Sequence, residues 1–106
     1  MPKYLLEVSY TAEGAKGLLK DGGTKRRAAA KALVESVGGT LESMYYAFGS
    51  TDVVVISDLP DATAAAATSI ALAASGGVTS RTTLLLTPEE IDAAVKKSAS
   101  YTAPGR

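Results

Sequence analysis

Three glycine pairs, Gly22-Gly23, Gly38-Gly39 and Gly76-Gly77, cut this chain into short segments. Glycine reaches backbone conformations that other residues avoid, so it commonly ends helices. Each pair follows a stretch with helical character. Thr11 offers an N-cap to a short helix over 12–21. Thr24 can cap a second helix over 25–37, with an apolar stripe of Ala30, Leu33, Val34 and Val37. Arg27, Lys31 and Glu35 fall on its other side, where Lys31 and Glu35 are spaced for a weak ion pair. A third helix, over about 61–74, starts at Pro60 and is nearly all alanine, with Ile70 and Leu72. Asp58 and Asp61 suit its positive N-terminal end.

Strands fill the intervals. Residues 3–10, KYLLEVSY, alternate: Tyr4, Leu6, Val8 and Tyr10 point one way, and Lys3, Leu5, Glu7 and Ser9 the other. A second strand over 40–48 places Leu41, Ser43, Tyr45 and Ala47 on one face and Glu42, Met44, Tyr46 and Phe48 on the other. Gly49-Ser50-Thr51-Asp52 turns the chain into a third strand over 52–57, making a hairpin. A fourth strand covers 79–86. Thr87-Pro88-Glu89-Glu90 is a capping box with proline at the first helical position, which starts a terminal helix over 88–97.

This order predicts an α+β chain with the ferredoxin-like βαββαβ plan. It has a four-stranded antiparallel sheet, helices on one face and an extra C-terminal helix. Residues 1–97 form one domain and 98–106 a loose tail. The bare face of the sheet carries Leu5, Val54, Ile56 and Leu85 beside Glu7, Ser9, Arg81 and Thr83. That much uncovered aliphatic surface predicts a homodimer packed sheet to sheet, or a higher homo-oligomer.

Composition removes several function classes. Eleven basic and eleven acidic residues cancel, which leaves no electrostatic footprint for nucleic acid or an anionic membrane. There is no cysteine, so disulfides, thiolate nucleophiles and Cys-type zinc sites are excluded. There is no histidine, the commonest general base and metal ligand. No metal site and no cofactor is expected. The N-terminus lacks a signal-peptide pattern, and no apolar run is long enough to cross a membrane. A soluble, cytoplasmic protein is expected.

Three stretches carry a family resemblance: residues 1–39, then "YYAFGSTDVVVISDLPDA", then "RTTLLLTPEE". Together they resemble the GYD family of small bacterial proteins over about the first nine-tenths of the chain. The resemblance implies a ferredoxin-like protomer and a dimeric α/β barrel, and it implies no particular activity. The family's Gly-x-Tyr-Asp turn reads Gly49-Ser50-Thr51-Asp52 here, with Thr51 in place of the tyrosine.

The candidate ligand-binding residues are Tyr10, Arg26, Tyr46, Asp52 and Arg81. Asp52 is read most economically as turn chemistry, its carboxylate capping amides of its own hairpin. As a site residue it would face a cation, Arg81 or Arg26. Tyr10 and Tyr46 are the best pocket tyrosines, although tyrosine is also an ordinary strand residue. Arg81 has a plain alternative as the partner of Glu7 or Glu42. The Lys25-Arg26-Arg27 run, at the start of a helix, could hold a phosphate but lacks P-loop spacing, and reads as a solvated helix start. Three functions remain open. One is an oligomeric domain binding a small molecule between sheet and helices. Another is a cofactor-independent oxygenase or isomerase acting on a small apolar substrate. The third is a purely structural homo-oligomer.

Overall fold

The computed structural model describes all 106 residues. Its elements run β1 (Lys3–Tyr10), α1 (Ala12–Asp21), α2 (Gly23–Ser36), β2 (Thr40–Tyr46), β3 (Val53–Asp58), α3 (Ala62–Ser75), β4 (Val78–Leu85) and α4 (Pro88–Val95). The strands form one antiparallel sheet in the order β2-β3-β1-β4. The two central strands, β1 and β3, each begin or end a β-α-β unit, and the units interleave. This is the ferredoxin-like arrangement. No helix is long and apolar enough to cross a membrane.

The alternation of β1 sorts its two faces. Tyr4, Leu6 and Val8 are buried beside Val53 and Val55 of β3, under Val34 of α2 and Ala64 and Ala65 of α3. On the outer face, Leu5 stands opposite Ile56 and Thr83, and Glu7 opposite Val54 and Arg81. No helix covers that face. Its charges pair along the surface: Lys3 bonds Glu42 and, at 3.0 Å, Asp58. Those two carboxylates raise the Lys3 ammonium pKa. Ser57 Oγ is fully buried on the inner face with no hydrogen-bond partner.

Strand β2 departs from simple alternation. Leu41 pairs with Ser57 and Ser43 with Ile56, so the register shifts across Glu42. This bulge puts Leu41, Met44 and Tyr46 against the core, and leaves Tyr45 71% exposed on the outer face. Strict alternation had grouped Leu41 with Tyr45. β2 also stops at Tyr46, because the chain bends and Phe48 takes a left-handed φ of 54°.

Helix starts differ from expectation in two places. Gly22, with φ of 78°, turns α1 directly into α2, so α2 begins at Gly23 with no side-chain cap from Thr24. Asp61 alone caps α3, accepting from the Ala64 N–H at 2.8 Å, whereas Asp58 is the last residue of β3 and binds Lys3. The expected pairing of Lys31 with Glu35 is not among the ion pairs formed.

Candidate functional site

Helix α2 packs over β2 and α3 over β4. Between them, above the central strands, lies a cleft. Its inner part is an apolar chamber of about 100 Å³, walled by Leu6, Val8, Val53, Val55, Met44 and Leu72, among others. A wider vestibule of about 340 Å³ runs between α1, α2 and α3. Chamber and vestibule lie side by side and share Tyr10, Arg26, Leu33, Leu72 and Val78 in their walls. The alanine content of α3 helps make this space. Ala64 and Ala65 seat the first turn close to the sheet, while the small side chains further along fill little of the gap.

Two polar side chains, Arg26 and Tyr10, face the space. Arg26, on the first turn of α2, lies 3.5 Å from Asp21, which also takes Lys25 at 3.4 Å. One carboxylate is thus shared by two cations, and the Arg26 side chain is still 42% exposed. Tyr10 ends β1 on its inner face. Burial, then the charge of the adjacent Tyr46 phenol and a hydrogen bond to it, push the Tyr10 phenol pKa up to about 12, with a smaller push from Asp52 and an opposing pull from Arg26. Thr68 also lines the chamber, but its hydroxyl donates to the Ala64 carbonyl at 3.0 Å.

Asp52 has a different partner from either expected one. Its carboxylate accepts the backbone N–H of Tyr10 at 2.8 Å. The pairing of β1 with β3 ends at Val8 and Val53, because the hairpin turns away there. Tyr10 N–H would otherwise have no acceptor on that side, and the Asp52 side chain stands in for the missing strand. Neighbouring bonds reinforce the junction: Asp52 N–H donates to the Val8 carbonyl at 2.9 Å, and the buried Thr51 hydroxyl to the same carbonyl at 3.1 Å. Asp52 therefore anchors the strand end that carries the Tyr10 ring, and it is not among the residues lining the cleft.

Tyr46 borders the site through α2. Its hydroxyl donates to the Gly23 carbonyl at 3.1 Å, and its ring stacks on Phe48 with centroids 6.0 Å apart. A Cβ on Gly23 would come within 3.2 Å of the Tyr46 ring, so glycine there lets the helix start settle on the tyrosine. Arg81 lies elsewhere. It is on the outer face, 72% exposed and 3.5 Å from Glu7, the plain ion pair anticipated for it. The structure thus gathers Tyr10, Arg26, Tyr46 and Asp52 and separates Arg81. Sequence reasoning missed Leu33, Met44, Leu72 and Val78 as walls. The spacing Ala64, Thr68, Leu72 on α3 was the signal that could have marked its inward stripe.

No group of carboxylates is placed to hold a metal ion. The sequence model of the GYD domain matches residues 4–95 of the chain. Neither the curated proteins nor the solved structures include a match.

Proposed function

Since the chain belongs to the GYD domain family, with an open cleft in its ferredoxin-like fold, we propose that it is a homo-oligomeric domain that binds a small molecule between α2 and α3. The observation that carries this reading is an apolar chamber beside a vestibule, with Arg26 and Tyr10 in the walls of both. Ligand sites are typically concave and apolar with a few fixed polar groups. The cleft favours binding over oxygenase or isomerase chemistry. Asp52 does not line the cleft, and Tyr10 holds its proton well above neutral pH, so the lining offers no evident general base.

A second copy accounts for two further features. Leu5, Val54, Ile56 and Leu85 are only half-buried on the outer face. Helix α4 has no buried residue, and Ile91 and Val95 are exposed. The chain measures 56 × 33 × 22 Å with a radius of gyration of 16.8 Å, against about 13 Å for a compact chain of about 100 residues. A helix of eight residues gains little stability alone, since isolated helices under about 12 residues are marginal in water. Packing outer face to outer face, with α4 reaching the partner, buries both features in a dimeric α/β barrel.

Native mass spectrometry of the protein purified from its own cells tests the binding reading. A retained small molecule is expected, and it should be absent from a Leu72→Trp variant that fills the chamber. Bare protein mass in both, or an adduct indifferent to the substitution, refutes ligand binding in the cleft. Light scattering tests the dimer, and a monomer at micromolar concentration would rule it out.

A further inference from the structure

The cleft's chemistry narrows its ligand, provided that it binds one. Arg26 is the only charged residue lining either the chamber or the vestibule. A guanidinium offers donors and no acceptor. The Tyr10 phenol, protonated at neutral pH and hydrogen-bonded to Tyr46, can turn its O–H toward an acceptor bound at the same end. The remaining hydroxyls near the cleft, those of Tyr46, Thr68 and Ser75, already donate to carbonyls of the chain. A ligand's polar head therefore meets donors and must be an acceptor.

Charge sets the head further. Lys25 and Arg26 share the single carboxylate of Asp21 at 3.4 and 3.5 Å, so Arg26 has no carboxylate of its own. Asp52, the nearby carboxylate, is held by the Tyr10 N–H and does not line the space. Arg26, the one charge on the lining, suits one anionic group. The chamber behind it cannot satisfy polar atoms, because its walls are aliphatic apart from Met44, Thr68, Arg26 and Tyr10. About 100 Å³ of cavity is less than the roughly 150 Å³ of an engineered apolar cavity that takes up benzene, so the chamber suits a short alkyl chain or at most one ring.

We propose that the cleft takes an organic monocarboxylate, with its carboxylate on the Arg26 guanidinium and the Tyr10 hydroxyl and a small apolar body in the chamber. This rests on the cleft-binding reading above and adds the ligand class to it. Specificity comes from the donor-only head site, and affinity from burying the body.

Titration of the full chain at pH 7 with hexanoate, benzoate, hexanamide and hexyl phosphate, followed by amide chemical shifts, tests the class. Hexanoate and benzoate are expected to perturb β1 and α2 amides around the cleft and to bind about tenfold or more tighter than hexanamide, the usual advantage of a charge-assisted hydrogen bond. Arg26→Gln should bring hexanoate down to the hexanamide level, Arg26→Lys should fall between, and Tyr10→Phe should lose roughly three- to tenfold. Hexanamide binding as tightly as hexanoate, or hexyl phosphate binding tighter, overturns the carboxylate assignment while leaving a cleft that binds. Absence of cleft shifts with every probe overturns the binding reading along with it. Melting curves identify a misfolded variant, and the probe series on the unaltered chain decides the class independently of any substitution.

Discussion

The two faces of this sheet are built from the same strands and have opposite economies of charge. On the outer face, Lys3 is bracketed by Glu42 and Asp58, and Arg81 leans on Glu7. On the inner face, the lining has one cation, Arg26, and the nearest carboxylates are either shared, as Asp21 is, or tied to a backbone amide, as Asp52 is. The outer arginine is 72% exposed and water screens its pair, so it contributes little. The inner arginine borders a space lined almost wholly by carbon, where a charge interacts more strongly. Two arginines with equal claims in the sequence therefore differ in what they can do.

The comparison breaks most sharply at the neighbours Leu6 and Leu5. Leu6 is 3% exposed in the core, so Leu6→Ala should cost about 2–5 kcal/mol in urea unfolding. Leu5→Ala, measured at dilutions where the chain is monomeric, should cost less than about 1 kcal/mol. Equal losses would mean that the outer face is packed within a single copy. Asp52 comes next. Asp52→Ala leaves the Tyr10 N–H without its charged acceptor and should cost about 1–3 kcal/mol, with most of that recovered in Asp52→Asn. A neutral Asp52→Ala would show that the strand end finds water instead.

Tyr10 links the faces to pH. Its pKa rises from 10.0 to about 12 on folding. Below pH 10.0 the phenol is protonated in both states, so its native environment costs nothing. Above that, the unfolded chain releases the proton first, and stability falls until the folded pKa near 12 is passed. Lys3, raised by Glu42 and Asp58, contributes a fall of the same sign. Melting temperatures between pH 9 and 12, in the unaltered chain and in Tyr10→Phe, separate the two: the variant should show the shallower decline. A matching decline would remove Tyr10 from the account. The smallest effect belongs to Arg81→Gln, expected to change stability by less than about 0.5 kcal/mol and to leave the proposed carboxylate binding as it is in the unaltered chain.

Much of the fold is legible in adjacent residues. The alternation of KYLLEVSY sets the two faces of β1, the Thr87–Glu90 capping box starts α4, and the glycine pairs close the helices near the expected places. The bulge at Glu42 is not legible, because it comes from matching β2 to the curvature and register of β3 rather than from anything in TLESMYY alone. The candidate site is legible in part. Tyrosine in a strand and arginine on a helical stripe can be nominated from spacing, but a chain of this kind offers many such residues.

The carboxylate before Val53-Val54-Val55-Ile56 shows where the division falls. Propensity, alternation and capping act between residues a few positions apart, and they are enough to specify the order of strands and helices and the α+β class. The partner of Asp52 is the Tyr10 amide, 42 positions away. Nothing near Asp52 in the chain announces it, since it exists only once β1 outruns β3 and an amide is left without an acceptor. The meeting of Arg26 with Tyr10, and the removal of Arg81 to the far side, likewise follow from how the strands are ordered and which way each one faces. Those are properties of the packed sheet, decided when distant segments bury their apolar sides together.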